Sequence, residues 1–275
     1  MVKMRIFLKY KTTYKSLKII LAAIGILSAG ILHLAVSYNK TMENSLTLFI
    51  NQAELISEGI NIKDLESLTG SNEDLQKPQY GRIKNQLRSI KEILSHTRFI
   101  YIMGKDEKNR TFFFVDSEPP GSPDESKPGD LYEEEDPYVD KVFSENSAVS
   151  TPPMKDRWGT WVSALVPVLN PVNGKVEYLL GIDIDVSMWK KMILKEMYGS
   201  IIMFFVLALF TGALLFFYRK PSYHGKNFFR EHLEIFTVIF AGTILTALVF
   251  VEYSKKSSRE AENDFIKVSS PKILN

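Results

Sequence analysis

The sequence predicts an α+β fold: a central antiparallel sheet preceded by a long helix and set between about three membrane-spanning helices. Three observations carry that prediction. Apolar residues gather in three charge-free blocks, Ile19–Val36, Ser200–Phe217 and Ile235–Val251, each close to the roughly 20 residues that a helix needs to cross a bilayer. Between the first two blocks, hydrophobic residues spaced three and four apart give way to β-branched and aromatic runs. Two of those runs are joined by Asn173-Gly174, a strong hairpin signal.

The elements follow in order. Residues 1–18 hold Lys3, Arg5, Lys9, Lys11, Lys15 and Lys18 with no acidic residue, which places them in the cytoplasm. Residues 19–37 form the first span. A signal peptide is the competing reading, but the block outruns a usual h-region and no A-x-A-like cleavage site follows it. Residues 38–197 then lie outside. Leu46, Phe49, Ala53, Ile56 and Ile60 mark an amphipathic helix over 40–60, and Ile83, Leu87, Ile90 and Leu94 mark another over 80–97. Residues 61–79, with Gly70, Ser71, Asn72 and Pro78, read as the connection.

The period then changes. Arg98–Met103 and Arg110–Asp116 are strands around a polar turn, and the proline-rich stretch 117–137 is a long loop. A short helix fits Pro137–Ser144. Thr160–Leu169 and Lys175–Val186 are the next strands, and a helix over Ser187–Met197 leads into a second span at 198–218. Arg219, Lys220, Lys226 and Arg230 make the loop 219–232 cytoplasmic. The third block, 233–252, is read as a span or a re-entrant segment. In the first case the tail 253–275, with Lys255, Lys256 and Arg259, is outside and could open a second module.

Several chemistries are excluded. With no cysteine among 275 residues, disulfides, thiol catalysis and cysteine-bound zinc are absent. No phosphate-binding glycine loop, nucleophile elbow or zinc motif occurs, so no catalytic residue, metal or cofactor is expected. The histidines are scattered, and His33 is unusual because a polar residue inside a span should face another helix. Glu133–Asp136 reads as a solvated acidic loop in preference to a calcium loop, whose alternating spacing and turn glycine are missing.

From RFIYIM through FFFVDSEPPGSPDESKPGDLY, RWGTWVSALVPV, NGKVEYLLGIDID and Trp189, residues 40–197 resemble the extracytoplasmic Cache-type (PAS-like) sensor domains of bacterial membrane receptors. Those receptors include sensor histidine kinases, cyclic-dinucleotide enzymes and chemoreceptors. The resemblance implies a sheet backed by a long helix, a small-molecule pocket under overlying loops, and a signal passed through the spans. It also implies a homodimer in the plasma (inner) membrane, a small polar ligand such as an amino acid, amine or carboxylate, and no nucleic-acid partner. No kinase, cyclase or methyl-accepting segment is present, so the chain is expected to be a fragment, a truncated product, or an input subunit.

Candidate ligand-binding residues each carry two readings. Trp158 and Trp161, with Arg157 beside them, line a pocket where the cation clamps a ligand carboxylate, or one tryptophan is core and the other covers the sheet edge. Tyr101 is pocket wall or core. Asp116 receives a ligand amine or caps a turn. Tyr132 closes over the site or is a surface aromatic. Asp183 and Asp185 share one strand face; one accepts an amine, or both are exposed or capping. Two functions follow. The first is a ligand sensor, which needs a ligand-sized cavity. The second is a membrane-anchored scaffold binding another protein, which needs a closed core and an exposed apolar patch.

Overall fold

The computed structural model describes residues 2–134, 136–170 and 174–219. They fall into two compact units, residues 42–194 and the helical segments before and after them. The expected third span at 233–252, the tail 253–275 and the loop beyond Arg219 lie outside the described residues.

In residues 42–194, the end of helix α1 (Val2–Glu58) buries Phe49, Ala53 and Ile56, the inner stripe that the sequence spacing marks. The connection is more structured than expected. Asn61 caps a short helix, α2 (Ile62–Glu66), by accepting the Lys63 and Asp64 N–H groups. A 3-10 turn follows at Asn72–Gln76, where buried Asp74 gathers the N–H groups of Thr69 at 2.9 Å and Gly70 at 2.7 Å. Helix α3 (Pro78–Ile93) starts on a proline, whose missing N–H is no loss in a first turn. It packs on the sheet with Ile83 and Leu87 inward.

The sheet contains β1 (Thr97–Lys105), β2 (Thr111–Asp116), β3 (Val149–Ser150), β4 (Met154–Lys155), β5 (Thr160–Leu169) and β6 (Val176–Asp185), with helix α4 (Pro137–Glu145) between β2 and β3. The order is β2-β1-β6-β5-β3, with β4 also on β5, and every pairing is antiparallel. Sequence reading located the four long strands within two residues and missed β3 and β4, which are too short to show a period. One face carries Met103, Phe113, Leu165 and Leu179, packed against Val139 and Val142 of α4. Alternate residues Ile100, Ile102, Leu180 and Ile182 point to the other face and are also buried.

Two features of β2 position the site. The register between β1 and β2 slips after Ile102, so that Met103 pairs with Phe113 but Tyr101 pairs with Asp116. This β-bulge turns Asp116 onto the face that strict alternation would assign to Val115. The proline-rich loop then returns to pair with the free edge of β2. Gly129 N–H donates to Phe113 O at 2.9 Å, Phe113 N–H to Asp130 O at 3.0 Å, and Tyr132 N–H to Thr111 O at 2.9 Å. Gly129 adopts φ +89°, and a Cβ there would lie 2.9 Å from Gly70 O, so glycine is required at that crossing.

Helix α5 (Val186–Arg219) follows β6 without a break, and Asp185 opens it by accepting the Ser187 and Met188 N–H groups. Its stretch Val186–Ala213, 28 residues, is long and apolar enough to cross a membrane. In the helical unit, the first apolar block lies inside α1. There Ser200 Oγ of α5 donates to Ser37 Oγ at 3.3 Å, and Ser37 Oγ lies 3.4 Å from His33 Nε2. The His33 imidazole thus joins a polar chain that reaches a second helix.

Candidate ligand-binding site

A cavity sits on the face of the sheet that carries Phe99, Tyr101, Met103, Trp161, Ser163 and Asp183. Its free space is about 60 Å³. One water needs about 10–15 Å³ of such space, so the cavity takes around four waters or the polar head of a small molecule.

Asp183 forms the floor. It lies on the central strand β6, with Phe99 of β1 opposite on one side and Ser163 of β5 on the other. Its side chain is buried, Tyr101 Oη donates to its Oδ1 at 3.1 Å, and the Ser163 hydroxyl also bonds to it. Among the described residues no lysine or arginine pairs with it. Burial pushes its pKa up to about 7; the Ser163 and Tyr101 bonds hold the value down in part, and repulsion from Asp156 and Asp136 adds to the rise. Tyr101 is raised well above the usual phenol range, first by burial and then by Asp183, so it remains a donor.

Phe113 organises the aromatic wall. Tyr101, Tyr132 and Trp158 all meet its ring edge-on, with centroids 5.7, 6.0 and 6.0 Å away. Trp161 stacks edge-on against Phe99 at 5.1 Å and donates its Nε1–H to Asp156 Oδ1 at 2.9 Å. The same Asp156 oxygen accepts the N–H groups of Trp158 and Gly159 at 2.8 and 2.9 Å, so one aspartate fixes both tryptophans. Burial raises Tyr132, and Asp136, Glu134, Asp156 and Asp183 add to it; its ring therefore stands amid four carboxylates. Asp136 is raised by burial although it accepts the Tyr138 N–H as the cap of α4.

Of the residues singled out in the sequence, Tyr101, Asp116, Tyr132, Trp158, Trp161 and Asp183 all line this cavity, and Arg157 does not. The Arg157 guanidinium is exposed and lies 3.9 Å over the Trp158 ring, a cation–π contact. Asp116 is already committed. It accepts Lys84 Nζ at 2.8 Å, Ser126 N–H at 2.7 Å and Glu118 N–H at 3.2 Å, so it anchors the proline-rich loop. Asp185 is spent on capping α5. Sequence reasoning missed Phe113, Asp156, Asp136 and Glu134. Asp156 had a signal, an aspartate two residues before a tryptophan in a turn. Glu134 and Asp136, assigned to a solvated loop, line the cavity.

Gly181, next to Asp183 on the same side of β6 as Tyr101, has a specific purpose. A Cβ there would lie 2.2 Å from the Tyr101 ring and 2.7 Å from its hydroxyl. Gly181→Ala is expected to displace Tyr101 from Asp183 and to lower stability by about 1–3 kcal/mol, the usual cost of overpacking. Urea unfolding of the variant checks the stability, and an unchanged midpoint would refute the contact.

No protein-family model matches the chain, and no curated protein matches it. Among solved structures, it is similar to the ligand-binding domain of the Campylobacter jejuni chemoreceptor Tlp3 in complex with 4-methylisoleucine, at 14% identity over 63% of this chain and 62% of that chain, with a TM-score of 0.41. The chain thus spans less than two thirds of that domain. It is similar also to the ligand-binding domain of the Pseudomonas aeruginosa PAO1 amino acid chemoreceptor PctC in complex with GABA (13% identity, 62% of this chain, 67% of that chain, TM-score 0.37). A third is the periplasmic domain of RsbU from Chlamydia trachomatis (14% identity, 68% of this chain, 59% of that chain, TM-score 0.40).

Proposed function

We propose that the chain is the input region of a multi-pass plasma-membrane receptor whose outer domain binds a small amine-bearing molecule, an amine or an amino acid. Asp183 carries this reading. A carboxylate buried on a cavity floor without a cation is costly to ionise, and a ligand ammonium supplies the missing charge. Tyr101, Tyr132 and Trp158 line the cavity, and aromatic rings attract a cation. Tyr101 and Ser163 orient the carboxylate, Trp158 and Trp161 wall the ligand, Tyr132 closes over it, and Asp116 holds the loop in place. An amine fits better than a simple carboxylate, because Glu134, Asp136, Asp156 and Asp183 outnumber the single lysine, Lys155, among the lining residues. Arg157 meets a ligand carboxylate only by leaving Trp158.

The relay runs through α1 and α5, each a single uninterrupted helix leading out of the domain. A ligand that prefers one of two domain states shifts these helices by a small displacement. The lipid bilayer, an extracytoplasmic domain and a homodimer complete the reading.

The test is a thermal-shift screen of the chain in detergent against amines, amino acids and carboxylates. A ligand at a hundred times its Kd stabilises by about 2.7 kcal/mol, and Asp183→Asn removes the response. Affinity is also expected to weaken about tenfold per pH unit below about 7, where Asp183 takes up a proton. A cooperatively melting protein that responds only to carboxylates, or to nothing, sinks the amine reading.

A further inference from the structure

A second hollow, with about 770 Å³ of free space, opens on the outer side of the same wall. It shares Tyr132, Glu134 and Asp136 with the inner cavity, so these three side chains line both spaces. Glu133 and Asp140 add carboxylates to the groove, whose one basic lining residue, Arg110, is tied to Asp106 at 2.7 Å.

Glu134 is the telling residue. Its Oε2 is buried and takes no hydrogen bond among the described residues. A buried carboxylate oxygen without a donor is costly, and natural structures rarely leave one without a purpose. Asp136 faces the same wall and spends one oxygen on the Tyr138 N–H. The inner cavity thus presents one carboxylate without a cation at its floor, Asp183, and another pair, Glu134 and Asp136, where its lining meets the groove. A single ammonium at Asp183 would leave that pair uncompensated.

We infer that the ligand carries two cationic groups, a linear diamine or polyamine with one ammonium on Asp183 and the second at Glu134 and Asp136, its methylene chain passing the Tyr132 ring. The inference rests on the amine reading of the inner cavity and narrows it. The aromatic wall contacts the methylenes, and the two carboxylate stations set the length that fits.

The experiment is calorimetric titration of the full chain in detergent with propane-, butane- and pentanediamine, each beside butylamine. Each charge-assisted contact is worth enough to change affinity by roughly ten- to a hundredfold, so the best diamine is expected to bind at least about tenfold more tightly than butylamine. In Glu134→Gln, a near-isosteric change, that ratio is expected to fall towards one. Glu134→Ala supplies the same ratio should the glutamine variant misfold. Equal affinity for diamine and monoamine in the native protein overturns the inference and leaves the amine reading standing. A preference that persists in both Glu134 variants overturns it as well. No binding of any amine by a protein that melts cooperatively overturns both.

Discussion

Replacing Lys84 with methionine is expected to destabilise the outer domain by about 3–5 kcal/mol, the cost of breaking a buried ion pair from one side. Lys84 Nζ lies 2.8 Å from Asp116 Oδ1 and 3.0 Å from Glu125 Oε1, and all three side chains are at most 7% exposed. Burial opposes the charged lysine, but the two carboxylates outweigh it and hold its pKa above the ordinary 10.5. A raised lysine pKa contributes stability that is complete below the unfolded value and is lost only as pH rises through the folded one. The lysine itself adds no pH dependence across neutral pH, whereas Asp116, already raised by burial, rises further without it, so the deficit shrinks as pH falls. With Lys84 gone, Asp116 and Glu125 repel one another in a site that water does not reach. Chemical unfolding measures the loss. The triple variant Lys84→Met, Asp116→Asn, Glu125→Gln is expected to recover most of it, because an uncharged cluster leaves no stranded charge. A single variant as stable as the native chain would show that the pair does not hold the loop. Asp116 at the end of β2 and Ser126 in the loop line the cavity, so ligand affinity falls together with stability.

Asp183→Asn is expected to have the opposite sign. The folded pKa of Asp183 stands at about 7, against an ordinary 3.8. For an acid shifted upward, the folded state holds the proton more tightly than the unfolded chain. Stability therefore declines as pH rises from about 4 to about 7 and is level above that. Three pKa units correspond to roughly 4 kcal/mol, an upper bound for what asparagine returns at pH 8. Tyr101, Ser163, Asp156, Asp136 and Tyr132 surround the group, so part of the rise belongs to the acidic cluster as a whole. The expected result is a variant more stable than the native chain at pH 8, equal to it near pH 4, and unable to bind an amine. A stability gap that does not vary with pH would refute the assignment. Stability gained while binding is lost marks a residue retained for function.

The sequence alone determined much of the architecture. The inner stripe of α1, the two hairpins and the apolar stretch of α5 were legible because each has its own period, 3.6 or 2, or a charge-free run, and such patterns are local. Six of the seven candidate residues line the cavity; aromatic and acidic residues in and beside β-patterned runs next to a long loop were a local signal for it. The tertiary structure decided the rest. Asp116 faces the cavity because a bulge in β2 breaks alternation, and its carboxylate is spent on Lys84, which is distant in sequence. Arg157 is not among the cavity-lining residues, and its guanidinium stacks 3.9 Å over the Trp158 ring. Asp183 and Asp185 share a strand face and differ entirely, one held by neighbouring strands and the other by the first turn of α5. Glu134 and Asp136 join the site because the loop pairs with the edge of β2 and carries them back across the wall. Local periodicity encodes which face a residue presents, whereas partners and burial depend on contacts between segments far apart in the chain, and these exist only once the sheet has closed.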